Sequence, residues 1–239
     1  MKPSESTVVL GSRSRSLGRV LASSLIVLLG AASVSVPFSG LVSCAGPGLE
    51  ISSVAPTDDP LVEIVSADPR IRVRTVYATA DNFVGEVLYP VSRTFIRSSA
   101  MERLSRVQDR LEAQGLGLLV FDAYRPWSVT KRMWDVVGDP DFVADPSKGS
   151  RHNRGMAVDC ALVNAEGRPL PMPTAFDAFV PEARSDAALA VPELAKNRDL
   201  LIEAMAAEGF RVLSSEWWHF DADGWETKGL LNVPLETLP

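Results

Sequence analysis

Residues 150–163 read SRHNRGMAVDCALV, and what this stretch becomes decides the fold. From Met156 to Val163 every residue is apolar except Asp159, the composition of a central strand covered on both faces. Side chains alternate along a strand, so Asp159 faces the same side as Ala157 and Ala161, opposite Val158. A lone carboxylate there is costly to bury unless a cation, donors or a metal meets it. Arg151 or Arg154 could pair with it. His152 offers another partner, because a turn through Gly155 can bring it back over the start of the strand.

Outward from this strand the pattern is mixed. Leu104, Val107 and Leu111 recur at helical spacing, predicting a helix from Ser98 or Ser99 to Gln114 with Gly115 as its stop. GLLVF at 117–121 suits a buried strand. A second helix follows YRPW, with Ser128 as N-cap and Gly138 at its end. A third runs from Pro192 to Glu208, closed by Gly209, and FRVL and EWWHF are β-type. Strands that do not alternate regularly with helices predict an α+β fold, a mostly antiparallel sheet with helices packed on it.

The net charge of −6 argues against a nucleic-acid surface, which needs clustered Lys and Arg. The N-terminus differs from the rest. Lys2, Arg13, Arg15 and Arg19 precede a run from Val20 to Cys44 without a charge, the form of an export signal. An uncleaved anchor or ordinary cleaved secretion would also fit such a run. Its end, LVSC followed by AGPG, resembles a bacterial lipobox, which would make residues 1–43 a signal peptide and Cys44 the lipidated first residue. The expected location is the outer face of the cytoplasmic membrane, held there through that lipid only. Residues 44–60, rich in Gly, Pro, Ser and Asp, read as a flexible tether, leaving residues 61–239 as one folded domain. With Cys44 acylated, Cys160 has no disulfide partner and packs as a small apolar side chain.

Only two histidines exist, His152 and His219. With Asp159 they form a zinc set that leaves a fourth position for water, and Glu216, three residues before His219, is a candidate base for that water. Residues three apart on a flat strand face opposite ways, so EWWH must contain a bulge or a strand end for both to reach one site.

SRHNRGMAVD fits S-x-H-x-x-G-x-A-x-D, and EWWH fits E-x-W-H. Together they resemble the zinc D,D-peptidases, specifically the D-alanyl-D-alanine dipeptidases of vancomycin-resistance systems. YATADNFVGEVLY at 77–89, DAYRPW at 122–127 and FD at 176–177 extend the likeness across most of residues 61–225. The resemblance implies a zinc D,D-peptidase-like (hedgehog-like) single domain. It implies one Zn2+ per chain on His152, Asp159 and His219, with Glu216 as general base and Arg125 pointing at the scissile carbonyl. Asp177 and Tyr77 would hold the substrate's free ammonium, Ser150 would lie near the substrate, and Asn82 would support the site.

The implied reaction is hydrolysis of D-Ala-D-Ala. A carboxypeptidase or endopeptidase acting on longer wall peptides is the alternative, and a non-catalytic zinc-containing binding lipoprotein is the reading from another class. Two features depart from the family: its dipeptidases are often cytosolic, and residues 164–195 here are Pro-rich and irregular.

Overall fold

The stretch read as a central strand, Ala157–Asn164, occupies the middle of a five-stranded sheet. The computed structural model describes residues 49–140 and 142–239, so the basic flank, the uncharged run and Cys44 lie outside the described residues. In chain order the first elements are β1 (Ile51–Ser52), β2 (Leu61–Glu63), the single turn α1 (Ile64–Ala67), β3 (Arg72–Val73), β4 (Phe95–Arg97) and α2 (Ser98–Glu112). There follow β5 (Leu116–Asp122), α3 (Trp127–Val137), β6 (Ala157–Asn164), α4 (Pro192–Ala206), β7 (Phe210–Leu213), β8 (Glu216–Ala222) and β9 (Leu230–Leu231).

The main sheet has the order β3-β5-β6-β8-β7, with only the short β3–β5 pair parallel. The fold is therefore α+β around a mostly antiparallel sheet, as expected. Val158, Cys160 and Leu162 share one apolar cluster with Leu104, Val107 and Leu111 of α2 and Leu201 and Met205 of α4. Each such side chain, fully withdrawn from water, contributes about 1.5–3 kcal/mol. Cys160 is a free, buried thiol within this cluster. Gly115 and Gly209 follow the two helices with φ of 71° and 78°, a backbone that glycine adopts without a Cβ penalty.

A second apolar cluster joins Tyr77, Tyr89, Phe95, Tyr124 and Met133 to Leu231, Val233, Leu235 and Leu238 near the C-terminus. It builds the wall from which Tyr77 projects.

Two local expectations change. Ser128 does not cap α3; the N-cap position is Pro126, and the Ser128 amide is satisfied instead by Asn232 Oδ1 at 2.9 Å. The folded chain also begins before Leu61. Ile51 and Ser52 pair in parallel with Leu230 and Leu231, and Asp59 is buried. Its carboxylate accepts from the Ser99 amide at 2.9 Å and from the hydroxyls of Ser98 and Ser99, and meets Lys228 Nζ at 2.6 Å. Burial opposes that charge, yet Lys228 and the serine donors hold the Asp59 carboxyl down at about 2. Asp59 thus supplies, from a distant segment, the N-terminal cap that α2 lacks locally. A Gly- and Pro-rich composition concealed these long-range partners.

Candidate metal centre and catalytic site

Three adjacent strands bring the polar groups together by register alone. Asp159 on β6 pairs with Asp122 on β5 and with His219 on β8, so the three side chains lie abreast on one face of the sheet. The β5–β6 register shifts between Val120 and Asp122, and this bulge puts Asp122, not Phe121, opposite Asp159. A second shift divides β7 from β8: Val212 pairs with Phe220, but Leu213 pairs with Glu216. Alternation is broken there, so Glu216 and His219 line the same cavity. The bulge required by the spacing in EWWH is present.

His152 arrives from the other direction. The segment before β6 forms one tight turn over His152–Arg154, ended by Gly155 at φ 67°. A Cβ on Gly155 would lie 2.8 Å from Leu61 Cδ2 and 3.2 Å from Arg97 Cγ, so both the conformation and the space select glycine. Asn153, fully buried, staples this turn. Its side chain accepts from the Ser150 amide at 2.8 Å and donates to Arg125 O at 2.9 Å and Thr130 Oγ1 at 2.8 Å. Ser150 Oγ accepts from the His152 amide at 3.2 Å.

The donor atoms then converge. His152 Nε2 lies 3.1 Å from His219 Nδ1, His219 Nδ1 lies 3.0 Å from Asp159 Oδ1, and His152 Nε2 lies 3.3 Å from the same oxygen. A tetrahedral zinc with bonds of about 2.0–2.1 Å sets its ligand atoms about 3.3 Å apart, so the triangle has the right size. The outer nitrogens decide the tautomers. His152 Nδ1 donates to Ala123 O at 2.6 Å, and His219 Nε2 donates to Asp221 Oδ1 at 2.9 Å. The inner nitrogen of His152 therefore offers a lone pair, and that of His219, flanked by Asp159 and Asp221, offers one once its proton is displaced, an arrangement that calls for a cation at its centre. The chemistry of the donor set fits zinc. Arg151 and Arg154 do not take this role, since Arg151 faces Asp221 and Arg154 donates to Lys228 O.

Around these donors lies a cavity of about 230 Å³ whose lining includes Tyr77, Arg125, Ser150, Arg151, Asp159, Asp177, Glu216, Trp218 and His219. Eight of the nine residues expected from the sequence at the site thus lie on one cavity. Asn82 does not join them. Its amide donates to Thr79 O and Glu86 O and its oxygen accepts from Val84 and Gly85, closing its own loop. The irregular segment after β6 runs to the cavity wall. Phe176 stacks on Phe121 with ring centroids 4.7 Å apart and meets Trp218 edge-on at 5.6 Å. The next residue, Asp177, holds a left-handed backbone (φ 57°), a strained state for a non-glycine residue, and accepts from Tyr77 Oη at 2.9 Å.

Electrostatics separate the acids. Burial opposes the charge of Asp159, but the His152 and His219 imidazoles hold its carboxyl well below the usual range. Burial raises Glu216, and it raises Asp177 well above the ordinary carboxylate value, with Asp159 adding to the shift. Arg125 is buried against its own charge, yet Asp122, Tyr77 and their neighbours keep the guanidinium firmly protonated. Asp122 Oδ2 accepts from Arg125 Nε at 2.9 Å while Tyr89 Oη donates to its Oδ1 at 2.7 Å.

Asp122, Asp221, Asn153 and Tyr89 escaped the sequence reading. A signal existed for two of them: Asp122 stands three residues before Arg125, and Asp221 alternates with His219 on one strand face. Nothing local marked Tyr89 or Asn153.

Two imidazoles and a carboxylate on a buried sheet face, with an acid and a pinned guanidinium in the same cavity, define a metal-dependent hydrolase. The family model for D-ala-D-ala dipeptidases matches residues 59–230, and the chain belongs to that family. It is similar to the D-alanyl-D-alanine dipeptidase of Escherichia coli (strain K12), 34% identical over 161 residues that cover 67% of this chain and 83% of that one. The Streptomyces coelicolor dipeptidase is 33% identical over 182 residues, 66% of this chain and 87% of that one. The Enterococcus faecium dipeptidase is 32% identical over 172 residues, covering 63% and 85%.

Without a metal, a proton is the remaining cation for the centre. Burial works against a charged imidazole, but Asp159 and Asp221 raise His219 to about 10. Zinc must displace that proton at neutral pH, so apparent zinc affinity should rise about tenfold per pH unit and level off near pH 10. Chelator competition at several pH values, corrected for the chelator's own protonation, checks this; a flat profile between pH 6 and 8 would contradict it.

Proposed function

We propose that this protein is a zinc-dependent D-alanyl-D-alanine dipeptidase acting outside the cytoplasm in peptidoglycan metabolism. The single observation that carries the reading is the cavity that holds the His152–Asp159–His219 donor set together with Glu216, Arg125 and the Tyr77–Asp177 pair. Zinc held by those three ligands would lower the pKa of a water to about 7 and polarise a carbonyl.

The chain's own groups account for the remaining work. Glu216, half-buried and raised by that burial, accepts the proton of the attacking water and returns it to the leaving amine. Such transfers are worth about 10² to 10⁴ in rate. Arg125 needs a fixed orientation to stabilise an oxyanion, and Asp122 supplies it through Nε and Nη2. Asp177 is a half-buried acid with a phenol donor and, among the described residues, no ion-pair partner. A substrate ammonium would supply that cation, and this supports the free dipeptide over longer wall peptides. A non-catalytic zinc-binding lipoprotein would need neither Glu216 nor Arg125 in the cavity.

Substitution should separate the base from the ligand. His219→Ala should lower zinc content and activity together, whereas Glu216→Ala should keep zinc and lose about 10⁴ in kcat, the upper end for acid–base help. A folded, zinc-loaded Glu216→Ala protein with near-normal turnover would end this mechanism.

Ammonium recognition predicts rapid cleavage of D-Ala-D-Ala and little of its N-acetyl form, because acylation leaves Asp177 covered by substrate without a cation. Asp177→Ala should raise KM for the dipeptide while leaving zinc content intact. Equal rates on both substrates would favour a carboxypeptidase acting on longer peptides.

Export rests on the basic flank, the uncharged run and LVSC. The mature protein is then expected to begin at Cys44 carrying lipid. Mass spectrometry of the cellular protein checks this, and an intact Met1–Ser43 segment would refute it.

A further inference from the structure

The substrate of the proposed reaction is a zwitterion, and the groups described so far meet only its ammonium and its scissile carbonyl. Its free carboxylate must enter a cavity already lined by Asp159, Asp177 and Glu216. An anion placed there without a cation would be repelled.

Two arginines line the cavity, Arg125 and Arg151. Arg125 is committed: its side chain is 10% exposed and both Nε and Nη2 lie on Asp122. Arg151 differs in each respect. Its side chain is 40% exposed, and its guanidinium lies over the Trp225 ring at 4.8 Å, which holds the plane in place. Its Nε is buried without a hydrogen-bond acceptor, 3.5 Å from Asp221 Oδ2. Asp221 in turn spends Oδ1 on His219. Among the described residues no side chain or carbonyl accepts a hydrogen bond from Arg151, whereas nearby Arg154 is engaged with Lys228 O and Arg97 with the carbonyls of Arg154 and Asp59. The residue sits between Ser150 and His152, so its backbone is fixed by the same turn that delivers the metal ligand.

We infer that Arg151 is the receptor for the substrate's C-terminal carboxylate and so determines specificity for a free D-alanine end. A planar guanidinium with unused donors matches a carboxylate in geometry as well as charge. The inference rests on the dipeptidase reading, with the ammonium on Asp177 and the carboxylate on Arg151 marking the two ends of the bound dipeptide.

The test compares zinc-loaded wild type, Arg151→Met and Arg151→Lys on D-Ala-D-Ala and on D-alanyl-D-alaninamide, which lacks the charge. Wild type should prefer the acid. Arg151→Met should lose about 10- to 100-fold in kcat/KM on the acid, the worth of a charge-assisted hydrogen bond, chiefly through KM. The amide should lose far less, so the preference collapses, and Arg151→Lys should restore part of it. Equal losses on both substrates, or loss of zinc from Arg151→Met, would assign Arg151 to supporting Asp221 and His219 and overturn the inference. Should Arg151→Met fail to fold, wild type and Arg151→Lys decide, and equal wild-type rates on acid and amide would refute it. A wild type that cleaves neither substrate would instead sink the dipeptidase reading itself.

Discussion

Three electron-pair donors, His152 Nε2, His219 Nδ1 and Asp159 Oδ1, face one another within 3.3 Å inside the protein. Such a cluster repels itself unless a cation sits at its centre, and most of the polar architecture is explained by that constraint. Ala123 O and Asp221 take the outer imidazole protons, so both lone pairs turn inward. Removing either acceptor would free a ring to flip its tautomer, and the triangle would lose a ligand.

The sheet supplies the rigidity this cluster demands. β6 is flanked by β5 and β8, and its apolar side is packed with residues from α2 and α4. Against that support, two register shifts act as placement devices. One sets Asp122 beside Asp159, where it grips Arg125. The other lets Glu216 share a cavity with His219. Strands β6 and β8 thus supply Asp159, Glu216 and His219, while the turn before β6 supplies His152 and the connection after β5 supplies Arg125.

The charge balance of the cavity follows. Asp122 neutralises Arg125 and orients it, and Asp221 faces Arg151 while holding His219. Asp177 takes its hydrogen bond from the Tyr77 phenol and, among the described residues, has no ion-pair partner, on a strained backbone anchored by the stacked Phe176. Strain at that position is the kind of cost a fold bears where a ligand will later share the load.

Much of this was legible before the structure. Helical spacing, glycine stops and the nearly unbroken apolar run around Asp159 are local patterns, and local patterns reflect short-range energetics that the chain carries with it. The scarcity of histidine likewise left few possible metal ligands. What the residue order could not express is pairing across long separations. The tautomers of His152 and His219, the grip of Asp122 on Arg125, the capping of α2 by Asp59 and the satisfaction of Ser128 by Asn232 each join segments through a register or a contact with no periodic trace. The stretch 51–60 resembled a tether because its composition is poor in apolar residues, yet it folds by borrowing partners from β9 and α2. Sequence by itself determined which groups were available and on which strand or turn they would ride; tertiary structure decided which of them meet, because hydrogen-bond register and burial depend on the whole chain at once.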